Sequence, residues 1–298
     1  MNLLLTGASG FVGKNIKPIL ANHFNITTLG LSKSNYIQHD LTKPNLPTLN
    51  SFDLVVHAAG KAHTNPKNLK DKEDFFKINY MGTKNLCNSF DKNNLPKSFV
   101  YISSVSVYGV DSGNSISESY PLNGKTSYAK SKIRTEEFLK NWCKDNQVKL
   151  LIVRPSLIVG PNPPGNLNTM INAIKSKKYL IIGSGDAMKS LIHVNDIASF
   201  IICSEGREGI YNLCDSEPLT FFQITQLICK QLNVSLPYSI PYTFAKFLAL
   251  VGDFLNVGFP LNSFKFDKIT KNLTFSNKKA LRDFDWHPIS VKKNFSIK

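Results

Sequence analysis

The chain is expected to fold as an α/β protein: a doubly wound parallel sheet with a smaller α/β cap drawn mostly from the C-terminal half. Three observations predict this. First, the apolar run Leu3-Leu4-Leu5 stops at Thr6, glycines follow at Gly7, Gly10 and Gly13, and Val12, Ile16, Ile19 and Leu20 then recur at helical spacing. Second, short apolar strands alternate with helical patterns as far as Arg154, which is the pattern of a parallel sheet covered on both faces. Third, the alternation breaks at Val159-Gly160-Pro161-Asn162-Pro163-Pro164-Gly165, a stretch rich in turn formers.

Taken in order, strand and glycine turn lead into a helix. A second strand covers 25–31, where Ile26, Thr27 and Thr28 are β-branched, and a third ends near Gln38-His39-Asp40. Leu54-Val55-Val56-His57-Ala58-Ala59-Gly60 is a continuous apolar run of the kind buried on both faces. A helix over about 71–92 precedes the strand Ser98–Ser104, and a helix over 126–144 precedes the strand at 150–154. Ligands of such sheets lie outside the carboxyl ends of the strands, where Gly7–Gly13, His57–Lys61, Ser103–Ser104 and Arg154–Leu157 all fall.

Beyond the break, a helix is expected at about 167–177 and a strand at Ser190–Val194. A helix N-capped by Asp196 should run to about Ser204, and another covers 220–232. The stretch 242–256 carries Phe244, Phe247, Leu248, Val251 and Leu255 with Lys246 and Asp253; it reads as a buried helix, too short for the roughly 20 residues of a membrane span. The expected division is a dinucleotide-binding part, 1–160 plus about 190–204, and a substrate-binding cap, about 161–189 plus 205–298.

Composition narrows the function classes. With 298 residues, 42% hydrophobic and 19% charged, the chain is globular and long enough for a large core. The net charge of +15 is spread along the sequence; its densest clusters, Lys175-Ser176-Lys177-Lys178 and Asn277-Lys278-Lys279, are short. That spread argues against nucleic acid and suits an anionic small-molecule substrate. No apolar run spans a membrane and no basic leader opens the chain, so neither a membrane partner nor a signal peptide is expected. The five cysteines are widely spaced with no C-x-x-C pair, which suits reduced thiols in the cytoplasm. No cluster has metal-ligand spacing, and no metal is expected.

Chemistry concentrates in Tyr128-Ala129-Lys130-Ser131-Lys132. Tyr128 and Lys132, four residues apart, share one helix face. A tyrosine titrates near 10, and a neighbouring ammonium favours its phenolate. Ser104, at the end of a strand, is placed to hydrogen-bond the same oxygen. The glycine turn points backbone N–H groups and a helix N-terminus at one spot, which suits a pyrophosphate. His57, inside an apolar strand, reads as a core histidine; His63 follows the adjoining loop and could face a substrate.

Thr6-Gly7-Ala8-Ser9-Gly10-Phe11-Val12-Gly13, Ser103-Ser104-Val105-Ser106-Val107-Tyr108-Gly109 and Tyr128-x-x-x-Lys132 together resemble the extended short-chain dehydrogenases/reductases, and more narrowly the NAD-dependent epimerase/dehydratase family. Arg154-Pro155-Ser156-Leu157-Ile158-Val159-Gly160-Pro161, Ser190–Asp196 and Asp285-Trp286-His287-Pro288 extend the resemblance over nearly the whole chain. It implies a Rossmann fold that holds NAD or NADP through Gly7, Ser9, Gly10, Phe11, Val12, Gly13, Asp40, Leu41, Ala58, Ala59, Gly60, Lys61, Tyr128, Lys132 and Pro155. It implies catalysis by Ser104, Tyr128 and Lys132, with Lys132 lowering the pKa of Tyr128. A nucleotide-diphosphate sugar would be bound by Ser104, Ser106, Asn166 and Lys189. Asn79 looks like the family's strand-bracing asparagine. The family also implies a homodimer through the helices at 71–92 and 126–144.

Three departures from the family pattern matter. The second strand ends in Leu29-Gly30-Leu31-Ser32-Lys33, without the carboxylate that bonds an NAD ribose, so NAD and NADP stay open. Val105-Ser106 stand where 4,6-dehydratases carry Asp-Glu, which argues against dehydration. Lys189 stands where many members place an arginine on the phosphates, and Leu157 where several have an asparagine. The expected activity is a nucleotide-sugar 4-epimerase of the UDP-hexose type, working through a transient 4-keto sugar. The alternatives are a 4-keto-sugar reductase using the same residues and, further off, a non-catalytic dinucleotide-binding regulator.

Overall fold

A computed structural model describes residues 1–49, 51–62, 64, 66–255 and 261–297. His63 lies outside the described residues, as does the last residue of the helix expected at 242–256.

The central sheet has seven parallel strands. β1 (Asn2–Thr6), β2 (Asn25–Gly30), β3 (Ile37–Gln38), β4 (Leu54–His57) and β5 (Ser98–Ile102) are joined by Lys149–Pro155 and Gly209–Leu213. Across the sheet the order is Gly209–Leu213, Lys149–Pro155, β5, β4, β1, β2, β3. The chain moves outward from β1 to β3, then returns to place β4 on the other side of β1. The connections leaving β1 and β4 therefore part at their carboxyl ends, which opens a crevice there. In register, Thr6 pairs with His57 and Leu3 with Leu54.

Alternation across the pleat builds two cores. Leu3, Leu5, Leu54, Val56, Val100 and Ile102 face one side, where they meet α1 (Phe11–Leu20) and the helix Val194–Cys203. Leu4, Val55, Phe99, Tyr101 and Ile152 face the other, against residues of the helices that follow β4 and β5. Strands buried on both faces are why the sequence shows unbroken apolar runs.

The helix expected at 71–92 is three pieces: α2 (Leu69–Phe75), a π-helical turn Phe76–Met81, and α3 (Gly82–Asn88). α4 (Ser127–Asp145) begins where Thr126 Oγ1 accepts the Ala129 N–H, the N-cap that ends the preceding loop.

Four expectations need correction. Gly209–Leu213, placed in the cap, is the seventh strand of the central sheet, because Tyr211 and Leu213 pack into its first core together with Ala280 and Trp286. Gly113–Ile116, placed in the first part, instead joins the cap sheet beside Leu273–Phe275, Met188–Lys189 and Leu219–Thr220. Asp196 does not cap its helix: His193 does, through Nδ1, while the Asp196 carboxylate accepts the Ile289 N–H at 3.1 Å. The helix Tyr242–Leu255 is only partly buried: Ala245, Ala249 and Gly252 are buried, Leu248 and Val251 half-buried, and its other residues exposed.

Candidate active site

The first half of the site is a backbone cradle. Gly7 has φ +73°, and a Cβ there would come within 2.5 Å of the Ala59 nitrogen; at Gly13 it would lie 2.1 Å from the Gly7 oxygen. β1, the Ala58-Ala59 loop and the start of α1 thus pack backbone to backbone, which only small residues allow. Gly10 is the extended N-cap of α1 and gives it no side-chain cap. The first-turn N–H groups at Phe11, Val12 and Gly13 thereby keep the positive end of the helix for an anion. Beside this turn opens a cleft of about 460 Å³ lined by Ala8, Ser9, Lys14, Lys17, Pro18, Ala21 and Ser34. A dinucleotide's pyrophosphate fits such a cradle.

The second half lies at the ends of β4 and β5. Ser104 neighbours the Tyr128 phenol. Its Oγ also caps the short 3-10 turn Val105–Tyr108 by accepting the Ser106 N–H at 3.2 Å, which fixes the hydroxyl's place. Burial pushes the Tyr128 phenol above its ordinary value, and the neighbouring Ser104 hydroxyl pulls it partly back. Lys132 Nζ donates to the Ile102 carbonyl at 2.8 Å and sits 4.6 Å over the Tyr101 ring and 6.0 Å from that of Tyr128. Burial pulls its ammonium down to about 8, against the pull of Glu136. In this arrangement burial of the Tyr128 phenol outweighs the lowering expected from Lys132, whose ammonium is engaged by the Ile102 carbonyl. A Cβ on Gly60 would lie 3.6 Å from Lys132 Nζ, so the cofactor loop and the catalytic helix converge on that ammonium.

Hydrogen bonds with determinate direction hold these parts. Ala59 N–H donates to Thr6 Oγ1 at 3.2 Å, and Thr6 Oγ1 lies 2.6 Å from His57 Nδ1. On the other side His57 Nε2 meets Thr83 Oγ1 at 2.8 Å, and Thr83 donates to the Asn79 carbonyl at 2.5 Å. With its proton spent on Asn79, Thr83 can only accept from His57. His57 is thus neutral, protonated on Nε2, and takes the Thr6 proton on Nδ1. Burial, with Lys132 nearby, pulls it down to about 3. This is the core histidine expected from its strand.

Asn79, in the π turn, accepts the Lys61 N–H at 2.7 Å and donates to Ser131 Oγ at 2.8 Å. It braces the cofactor loop against α4. A π turn re-aims side chains within a helix, and here it aims this one.

Other expected residues fall into place unevenly. Leu41 is packed in the second core, while Asp40 accepts the Thr42 N–H at 2.9 Å. Pro155 ends its strand opposite Leu213. The Lys61 side chain is held by Asp74 at 2.8 Å, which leaves its backbone as the part nearest the cradle. Ser106 is exposed and accepts from the Ser104 hydroxyl at 3.1 Å; Asn166 is exposed in the first turn of the helix Gly165–Lys175. Lys189 lies in the cap sheet, donating to the Lys271 carbonyl at 2.8 Å. Burial and neighbouring Lys268 pull it down to about 8, against Asp111. Among the described residues no three of His, Cys, Asp and Glu gather as metal ligands would, and the cysteines are free thiols.

Sequence reasoning missed Glu136, eight residues beyond Tyr128 on the same face of α4. It is fully buried, accepts Ser103 Oγ at 2.5 Å and pairs with Arg154. Its i, i+4, i+8 spacing with Tyr128 and Lys132 was the available signal.

Fold and site define a Rossmann protein in which Ser104, Tyr128 and Lys132 gather near a glycine cradle. The chain belongs to the NAD dependent epimerase/dehydratase family, whose model matches residues 3–214. It is 30% identical over 258 residues to N-acetyl-alpha-D-glucosaminyl-diphospho-ditrans,octacis-undecaprenol 4-epimerase of Escherichia coli O157:H7, covering 81% of this chain and 76% of that protein. It is 27% identical over 255 residues to GDP-6-deoxy-D-mannose reductase of Pseudomonas aeruginosa, covering 78% and 81%. The fold matches UDP-glucuronic acid 4-epimerase from Bacillus cereus in complex with NAD at a TM-score of 0.74, with 19% identity over 98% of this chain and 95% of that one.

Proposed function

We propose that the protein is an NAD(P)-dependent 4-epimerase of a hexose carried on a diphosphate, of the UDP-hexose type. The observation that carries this reading is the meeting of Ser104, Tyr128 and Lys132 at the strand ends next to the Gly7–Gly13 cradle. The dinucleotide, when bound, supplies a hydride acceptor and donor at the sugar C4. Ser104 holds the C4 hydroxyl and Tyr128 removes its proton, then returns it after the 4-keto sugar has turned over. Lys132 supplies positive charge beside the phenol. Phe11, Val12 and Gly13 bind the pyrophosphate through their N–H groups, and Lys189 binds the substrate diphosphate from the cap. The Escherichia coli relative's 4-epimerase activity supports the reaction. A reduced cytoplasmic setting and a homodimer along α2–α4 belong to the same reading.

A second reading, a 4-keto-sugar reductase, draws on the cofactor end of the site. Lys14, Lys17 and Ser34 line the cleft beyond Ser9, and no carboxylate ends β2. That favours a 2′-phosphate, hence NADPH as a consumed reductant.

Purified protein separates the two. Incubated with a UDP-hexose and NAD(P), the epimerase gives both C4 epimers by NMR with no net change in NADH-band absorbance. Consumption of NADPH only with a 4-keto sugar, and no epimer, overturns the first reading.

A further inference from the structure

The helix Tyr242–Leu255 is amphipathic in reverse. Its inward face carries the small residues Ala245, Ala249 and Gly252, of which the two alanines pack with Ile182 and Phe266. Its outward arc carries Phe244, Phe247, Leu250 and Phe254, with Phe254 88% exposed, and Leu255 and the neighbouring Phe264 are also open. Of the nineteen large apolar side chains exposed among the described residues, nine lie between Leu236 and Phe264. Scattered exposure of this kind is ordinary, but a concentrated patch marks a binding surface.

We propose that this face seats on the surface of an anionic lipid bilayer. The outward arc offers almost no hydrogen-bonding group; only Thr243 interrupts it. Protein interfaces carry about one hydrogen bond per 100–200 Å², whereas hydrocarbon asks for none. The charges around the arc match lipid headgroups. Lys246, Lys265, Lys268 and Lys271 stand around the arc; Lys268 also reaches Asp111 at 3.6 Å, Lys271 pairs with Asp267, and Ser263 holds Asp253. Lys268 lies 4.0 Å over the exposed Phe264 ring, the cation above an apolar base. The whole chain carries +15. A second copy on this face would bring like collars together, while an anionic surface neutralises them. The helix has 14 residues, about 21 Å at the α-helical rise, and no helix among the described residues is long and apolar enough to cross a membrane. It lies in the interface rather than through it.

The surface also adjoins the cap end of the site. Tyr242 packs edge-on against Phe266 at 5.1 Å, and Lys271, just past the helix Ser263–Thr270, receives Lys189 Nζ. A bilayer under this face would lie one helix layer from the expected diphosphate contact. The proposal stands on exposure and charge and does not rest on the epimerase reading.

The test is co-sedimentation of the full-length protein with vesicles of phosphatidylcholine alone and of phosphatidylcholine with phosphatidylglycerol. The wild type is expected to sediment with the anionic vesicles and to release in high salt. Phe247→Ser/Phe254→Ser should weaken that binding about tenfold or more, and Lys246→Glu should weaken it on anionic vesicles. Turnover of a soluble UDP-hexose should be unchanged in both variants, which separates this test from that of the activity. Absence of sedimentation, or equal sedimentation of wild type and double variant, overturns the proposal. So does a wild-type dimer in solution that the double variant splits, which would assign the face to a second copy.

Discussion

Arg154 and Glu136 form a two-pronged ion pair beneath the site, with Nη2 2.5 Å from Oε2 and Nε 3.1 Å from Oε1. Their side chains are 2% and 0% exposed. Further bonds extend the pair: Arg154 Nη1 donates to Tyr108 Oη at 3.1 Å, Tyr108 donates to Asn212 Oδ1 at 2.6 Å, and Ser103 donates to Glu136. One network therefore ties α4 to the end of β5 and to the two strands beyond it, Lys149–Pro155 and Gly209–Leu213. Breaking it on one side leaves a buried charge unpaired. Arg154→Met alone is expected to cost about 3–5 kcal/mol, whereas Arg154→Met with Glu136→Leu should recover much of that loss. Urea unfolding of the two variants measures the difference, and Tyr128 should lose activity in both as α4 shifts.

The cradle predicts unequal tolerance among its glycines. A Cβ at Gly13 meets the Gly7 carbonyl at 2.1 Å, and backbone cannot retreat as a side chain can. At Gly10 the nearest atom is the same carbonyl at 3.3 Å, and the residue has an ordinary extended φ. Gly13→Ala should abolish dinucleotide binding and lower thermal stability, while Gly10→Ala should fold and bind about as well as the wild type. Fluorescence titration with NADH and NADPH reads both.

The parts of this protein visible in its sequence are those whose signal is local. The glycine turn, the apolar β4 and the Tyr128/Lys132 face each fall within a dozen residues, and each stands where expected. Gly209–Leu213 escaped because an edge strand with a buried, hydrogen-bonded Asn212 shows no apolar run. The helix Tyr242–Leu255 misled for another reason: apolar content predicts burial, but only neighbours decide it, and its neighbours fully bury just Ala245, Ala249 and Gly252. Pairings between distant residues, such as Ser103 with Glu136 or Asp196 with Ile289, leave no local mark.

Tyr128 and Lys132 predict distinct kinetic signatures. Tyr128→Phe removes the proton-transferring atom without changing the packing against Phe75 at 6.1 Å. Turnover should fall by roughly 10²–10⁴ with dinucleotide affinity nearly intact. Lys132, pulled down to about 8, is charged below that value and neutral above it, so kcat should decline as pH rises through about 8. Lys189 shares that value. Stopped assays at saturating substrate distinguish them: Lys189→Met should raise KM and keep the decline in kcat, and Lys132→Met should lower kcat at every pH and remove the decline.

Stability should fall on both sides of a middle pH because two buried groups titrate in opposite senses. His57 is pulled to about 3 by burial, below its ordinary 6.5. The unfolded chain binds its proton first, so stability is lost as pH falls from 6.5 toward 3. Asp196 is pushed to about 7 from 3.8, chiefly by burial and against the Ile289 hydrogen bond, with Asp215 adding to the push. Here the folded chain holds the proton longer, so stability is lost as pH rises from about 4 to 7. The Asp196 contribution is on the order of 2–4 kcal/mol. Asp196→Asn keeps an acceptor for the Ile289 N–H and cannot ionise. Denaturant melts from pH 4 to 8 should show the wild type losing stability toward pH 8 and Asp196→Asn holding it. Parallel curves for the two proteins would show that Asp196 titrates as an ordinary carboxylate.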